Sequence, residues 1–185
     1  MMRELSDNIM DIAQNSISAG ASLTQVHVIV SHADNLITFI FRDNGCGMSE
    51  EMVKSVTEPF TTTRRTRKVG LGLPLLQQTA MMTGGEMSIT SQLGVGTEVK
   101  ASFGLDHIDR PPMGDVAGAW FSLVLMNPDT DFLFTYDYDG KLFTFDTREV
   151  REAVAPLPLN QMEIAAWIKD CLQSEINELH GGNIS

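Results

Sequence analysis

The stretch DIAQNSISAGAS, residues 11–22, closes a helical pattern that begins near residue 3. At about 100° per residue, Leu5, Ile9, Ile12, Ala13 and Ile17 fall on one broad arc. Glu4, Asn8, Asp11 and Asn15 fall in a narrow stripe elsewhere on the same helix. Solvated helix faces favour Glu, Lys and Gln, whereas Asn and Asp are poor helix formers because they compete for backbone hydrogen bonds. The stripe is therefore either an unusual solvated face or a surface that binds something, and both readings stay open on this helix alone. Gly20 ends the pattern.

Working outward, residues 24–30 and 36–43 read as two strands joined through the turn pair Asp34-Asn35. DNGCGMS, residues 43–49, is a glycine-rich turn at a strand end, and Ser49 starts a short helix reaching about Ser55. Residues 58–73 form a loop rich in Thr, Arg and Gly. GLPLLQQTAMMTGG, residues 72–85, is an apolar helix with a Gly-Gly stop, and residues 86–105 are a hairpin around Leu93-Gly94-Val95-Gly96. The texture changes at DHIDRPPMGD, residues 106–115, where paired prolines mark a boundary. The expected division is residues 1–105 and residues 106–185. Beyond the boundary AWFSLVLM (119–126), DFLFTYDYDG (131–140) and KLFTFDT (141–147) read as strands, with Asp139-Gly140 as a hairpin turn. Residues 147–154 and 160–179 read as helices, and the alternating aromatics of 132–145 read as core.

Composition sets bounds. The 185 residues are 43% hydrophobic and 20% charged, as in an ordinary globular protein. A formal net charge of −11 argues against nucleic acid or an anionic membrane as partners. Two cysteines, Cys46 and Cys171, make neither a disulfide framework nor a metal-ligand spacing. His27, His32, His107 and His180 lack partners at ligand or triad spacing and read as surface or strand residues. No apolar run approaches the about 18 residues that span a bilayer. With no signal-peptide pattern, a cytoplasmic location is expected.

Each glycine cluster is a weak signal alone. Their order is specific: a polar helix stripe, DNGCGM after a strand, GLGL opening a helix, and GVGT in a hairpin. That series, over about residues 3–104, resembles the GHKL superfamily. This group includes histidine-kinase catalytic domains, anti-sigma-factor serine kinases, DNA gyrase, and mismatch-repair and heat-shock ATPases. EPFTTT, residues 58–63, is similar to a further histidine-kinase segment. The resemblance implies a two-layer α/β sandwich of the Bergerat (histidine kinase-like ATPase) type, here with a C-terminal α+β extension. It also implies ATP held between helices and a mobile lid.

Carried over residue by residue, Asn15 matches the asparagine whose oxygen helps hold Mg²⁺, a cation that wants oxygen ligands. Asp11 matches a position where the ATPase branches carry a glutamate that activates water; the shorter aspartate is its counterpart as catalytic base. Asp43 corresponds to the acceptor of the adenine amino group, which a carboxylate suits and guanine's edge does not. Gly45 and Gly47 let the backbone approach the base, and Thr97 completes that contact. Gly70, Leu71 and Gly72 open the helix after the lid, where free N–H groups meet phosphate oxygens. Arg64, Arg65, Arg67 and Lys68 make a basic lid in an acidic protein, with Arg65 and Lys68 the candidates for phosphate contact. Lys68 stands where the family usually has glycine.

Only Met1 and Met2 precede the polar helix, so the hairpin that carries a sensor kinase's phosphoacceptor histidine is not expected in cis. The implied function is a stand-alone ATP- and Mg²⁺-binding regulator that acts as an ATP-dependent kinase on a partner protein, like anti-sigma-factor kinases or split sensor kinases. Two alternatives stay open: a non-catalytic ATP-sensing module, and an ATPase conformational switch. Residues 106–185 are expected to serve partner binding or homodimerisation.

Overall fold

A computed structural model describes residues 4–57 and 72–181. In chain order its elements are α1 (Leu5–Ser18), β1 (Leu23–Ser31), β2 (Leu36–Asp43), α2 (Glu50–Thr57), α3 (Gly72–Met82), β3 (Met87–Gln92) and β4 (Gly96–Gly104). There follow α4 (Val116–Met126), β5 (Asp131–Tyr138), β6 (Lys141–Asp146), α5 (Thr147–Val154) and α6 (Met162–Leu179). The strands form one six-stranded sheet in the order β3-β4-β2-β1-β5-β6. All pairs are antiparallel except β1 with β5, which runs parallel. Helices pack on the sheet, giving the α/β architecture expected from the motif order.

Alternation explains which side of the sheet is covered. Val26, Val28 and Val30 of β1 are buried while their neighbours are only half-buried. Val26 pairs with Phe41 and Phe134, and Val28 with Phe39 and Tyr136, so one face collects the large side chains of three strands. Phe39 and Phe41 in turn face Ala101 and Val99 of β4. Leu5, Ile9, Ile12 and Ala13, the apolar arc of α1, belong to the same core. Each fully buried side chain of this size contributes about 1.5–3 kcal/mol.

The run 119–126 is a correction: it belongs to helix α4, not a strand. A continuous apolar run carries no period that separates a buried strand from a buried helix. The signal lies just before it, where Asp115 caps the helix by accepting from the Gly118 N–H at 2.8 Å. Trp120 of α4 is fully buried and stacks on Phe134, ring centres 4.7 Å apart and planes 4° from parallel. Asn8 is a second correction. It is 1% exposed rather than part of an open polar stripe, and its Nδ2 donates to the Leu5 carbonyl.

The C-terminal stretch also ties down the start of α1. The Leu5 and Ser6 N–H groups donate to the Pro112 and Met113 carbonyls, each at 2.9 Å. These are first-turn donors with no partner inside their own helix. Among the described residues, no helix is long and apolar enough to cross a membrane.

Candidate functional site

The site is built where the C-terminal half of α1 meets the end of β2. Ser16, one residue past Asn15, is buried, and its Oγ donates to Asp43 Oδ2 at 2.8 Å. The Gly45 N–H donates to Asp43 Oδ1 at 2.9 Å. Each carboxylate oxygen thus accepts one bond from the protein and keeps lone pairs for a further donor. Asn44 locks the following turn: its Oδ1 accepts from the Ser22 and Leu23 N–H groups at 2.9 and 3.0 Å.

The glycine-rich turn is then sewn to both sides. The Cys46 N–H donates to the Ala19 carbonyl, and the Cys46 carbonyl accepts from the Gly94 N–H. Gly47 has φ +67°, and a Cβ there would overlap the Gln92 carbonyl. At Gly45 a Cβ would come within 2.9 Å of the Ala19 Cβ. The side chains excluded at both positions are thus excluded by the protein's own packing. Ser91 completes the wall: its Oγ accepts from the Met48 N–H and lies 2.8 Å from Thr97 Oγ1.

Together these groups enclose a cavity of about 300 Å³. Asn15, Ser16, Ser18, Asp43 and Thr97 are among its polar lining, and Ile12, Phe41, Met48, Met52, Leu73 and Val99 among its apolar walls. Gly47 lines it as well. The volume and the mix of apolar walls with few polar groups are those of a small-molecule site. Asn15 is exposed, and its side chain makes no hydrogen bond to another described residue. Asp11, one turn earlier, lies against the start of α3, where a Cβ on Gly72 would come within 3.2 Å of the Asp11 Cβ. Burial, and then the neighbouring Asp7 carboxylate, raise the Asp11 carboxyl above its ordinary range.

The structure therefore gathers Asn15, Asp43, Gly47 and Thr97 around one cavity, with Gly45 holding Asp43 and with Asp11 and Gly72 together beside the first turn of α3. Arg65, Lys68, Gly70 and Leu71 lie outside the described residues. Among the described residues no group of three or more His, Cys, Asp or Glu side chains forms a metal cluster. Sequence reasoning missed Ser16 and Ser91. A serine on the buried side of α1 needs a partner, and that was the available signal. Nothing in β3 alone marks Ser91.

The family model for histidine kinase-, DNA gyrase B- and HSP90-like ATPases matches residues 1–107. The chain belongs to that family. A sensor protein of Shewanella frigidimarina is 37% identical over 109 residues, which cover 58% of this chain and 17% of the relative. The histidine protein kinase DivJ of Caulobacter vibrioides is 32% identical over 101 residues, 52% of this chain and 17% of that protein. The match thus spans less than a fifth of these relatives. The crystal structure of the N-terminal domain of a DNA repair protein superposes with a TM-score of 0.51 at 16% identity. It covers 77% of this chain and 52% of that one, and it bears on the fold alone.

Proposed function

We propose that the chain binds ATP with Mg²⁺ in the cavity between α1 and β2, and acts in signal transduction as an ATP-dependent kinase on a partner protein. The observation that carries the reading is the Asp43 carboxylate, held by Ser16 and the Gly45 N–H and still able to accept a bond from the cavity. Asp43 would accept from the adenine amino group, with Thr97 beside it. Adenine fits an acceptor at this point; guanine, which presents its own acceptor there, does not. The Asn15 amide, free and exposed on α1, suits Mg²⁺ as an oxygen ligand. When bound, ATP and Mg²⁺ supply an electrophilic γ-phosphoryl group and its charge neutralisation.

Gly72 at the start of α3 would meet phosphate with its backbone N–H, with Gly70, Leu71, Arg65 and Lys68 of the preceding segment joining it. Asp11 lies beside that helix start and would orient or deprotonate the attacking group. Similarity to sensor kinases supports a protein substrate. Residues 106–185 would provide the partner or homodimer contact, in a cytoplasmic setting.

The test is a comparison of ligands. ATP with Mg²⁺ is expected to raise the melting temperature, GTP with Mg²⁺ to leave it nearly unchanged, and Asp43→Ala to remove the ATP effect. A wild-type chain indifferent to ATP would sink the reading.

A further inference from the structure

A second cavity, of about 680 Å³, opens at the opposite end of α1, between the segment that matches the family and the C-terminal stretch. Glu4, the N-cap of α1, lines it, whereas Asn15 of the same helix lines the first cavity, about 16 Å along the axis. Its volume also falls in the small-ligand range.

One wall is aromatic. Tyr136, Tyr138, His32 and His180 all line the cavity. The Tyr138 and His180 rings have centres 4.3 Å apart, and His32 meets Tyr138 edge-on at 5.4 Å. Two polar contacts orient these rings. Asp139 binds His32 Nδ1 at 2.8 Å, and the Tyr136 hydroxyl lies 2.9 Å from His180 Nε2. Burial, and then His32 nearby, lower the His180 imidazole below its ordinary range, disfavouring its protonated form. Such a wall accepts a flat ring by stacking or edge contact.

Arg110 supplies the cation. It is half-buried, and its Nε and Nη1 donate to the Leu105 and Pro111 carbonyls at 2.7 and 2.8 Å. Those two bonds hold the guanidinium in place before any ligand arrives. No carboxylate among the described residues pairs with it. A fixed, unneutralised arginine on a cavity wall is suited to a planar carboxylate. Glu4 and Asp115 also line the cavity, but both are engaged: Ser6 Oγ donates to Glu4, and Asp115 caps α4. Their charges disfavour a dianion and so favour a carboxylate over a phosphate.

We infer that this cavity is a binding site for a small aromatic carboxylate, its ring against Tyr138 and His180 and its charge on Arg110. The assignment does not depend on the nucleotide reading of the first cavity.

The experiment is calorimetric titration of the full chain with 4-hydroxybenzoate, indole-3-carboxylate and nicotinate, each beside its neutral amide, and with inorganic phosphate. At least one acid is expected to bind saturably, with its amide about tenfold weaker or worse. Arg110→Gln is expected to weaken that acid about 10- to 100-fold, and Arg148→Gln, an exposed arginine paired with Asp146, to leave it unchanged. If Arg110→Gln does not fold, the acid–amide comparison on the wild-type chain decides. Absence of saturable binding by any acid, equal binding of acid and amide, tighter binding of phosphate, or indifference to Arg110→Gln each overturns the inference.

Discussion

Ser16 Oγ donates to Asp43 Oδ2 at 2.8 Å, joining residues 27 apart in sequence and fixing the end of β2 against the inner side of α1. The bond orients the carboxylate that the nucleotide reading requires. Ser16→Ala is therefore expected to weaken ATP by about tenfold, in line with loss of one hydrogen bond to a charged group. Asp43→Asn keeps the shape but turns half of the acceptor into a donor, and is expected to weaken ATP further. Titration calorimetry of both variants checks the order; Ser16→Ala equal to wild type would remove the serine from the site.

Asp11 gives a pH prediction. Its carboxyl is raised above 3.8 by burial and by Asp7. Between 3.8 and the raised value the folded chain holds more proton than the unfolded chain, so this group's contribution to stability falls as pH rises through that window. Asp11→Asn should remove that slope, gaining on the wild type as pH increases in thermal melts. If Asp11 also acts as base, turnover should climb through the same window in the wild type and vanish in Asp11→Asn.

Gly47→Ala tests the floor of the site. Its positive φ and the Gln92 carbonyl leave no room for a methyl group without moving the turn from β3. A loss of about 3 kcal/mol or more is expected in denaturant unfolding. Gly140→Ala is the contrast: it has a positive φ but open space around it, and should cost about 1 kcal/mol.

Trp120→Ala probes the join between α4 and the sheet. The ring is fully buried and stacked on Phe134, so its removal leaves a large cavity beneath α4. A loss of about 3–5 kcal/mol is expected. A single cooperative transition that shifts as a whole would show that both parts of the sheet unfold together.

Local signals carried much of this fold. Alternation placed β1, β2 and β5, and the period of apolar residues placed α1 and α6. The paired glycines put the Asp43 turn beside α1 because the family's order of motifs is itself spatial information. Where no period exists, as in α4, the residue types were silent and only the Asp115 cap spoke. Contacts made at a distance were not legible. Nothing in SQ, residues 91–92, announces that Ser91 supports the turn at Met48. Likewise His32 and Asp139, far apart in sequence, gave no sign of meeting just past the ends of β1 and β5.

The parallel pairing of β1 with β5 has a bearing on how the chain reaches this structure. Leu23 faces Asp131, so the inner edge of β1 waits for partners about a hundred residues downstream. Closing so long a loop precedes any reward from the contacts it permits, which slows folding. Until then Val26 and Val28 sit on an open strand edge with unpaired backbone groups. During synthesis the motif-bearing half emerges first, and it is this interval, before β5 arrives, in which the chain is most exposed to pairing with the wrong neighbour.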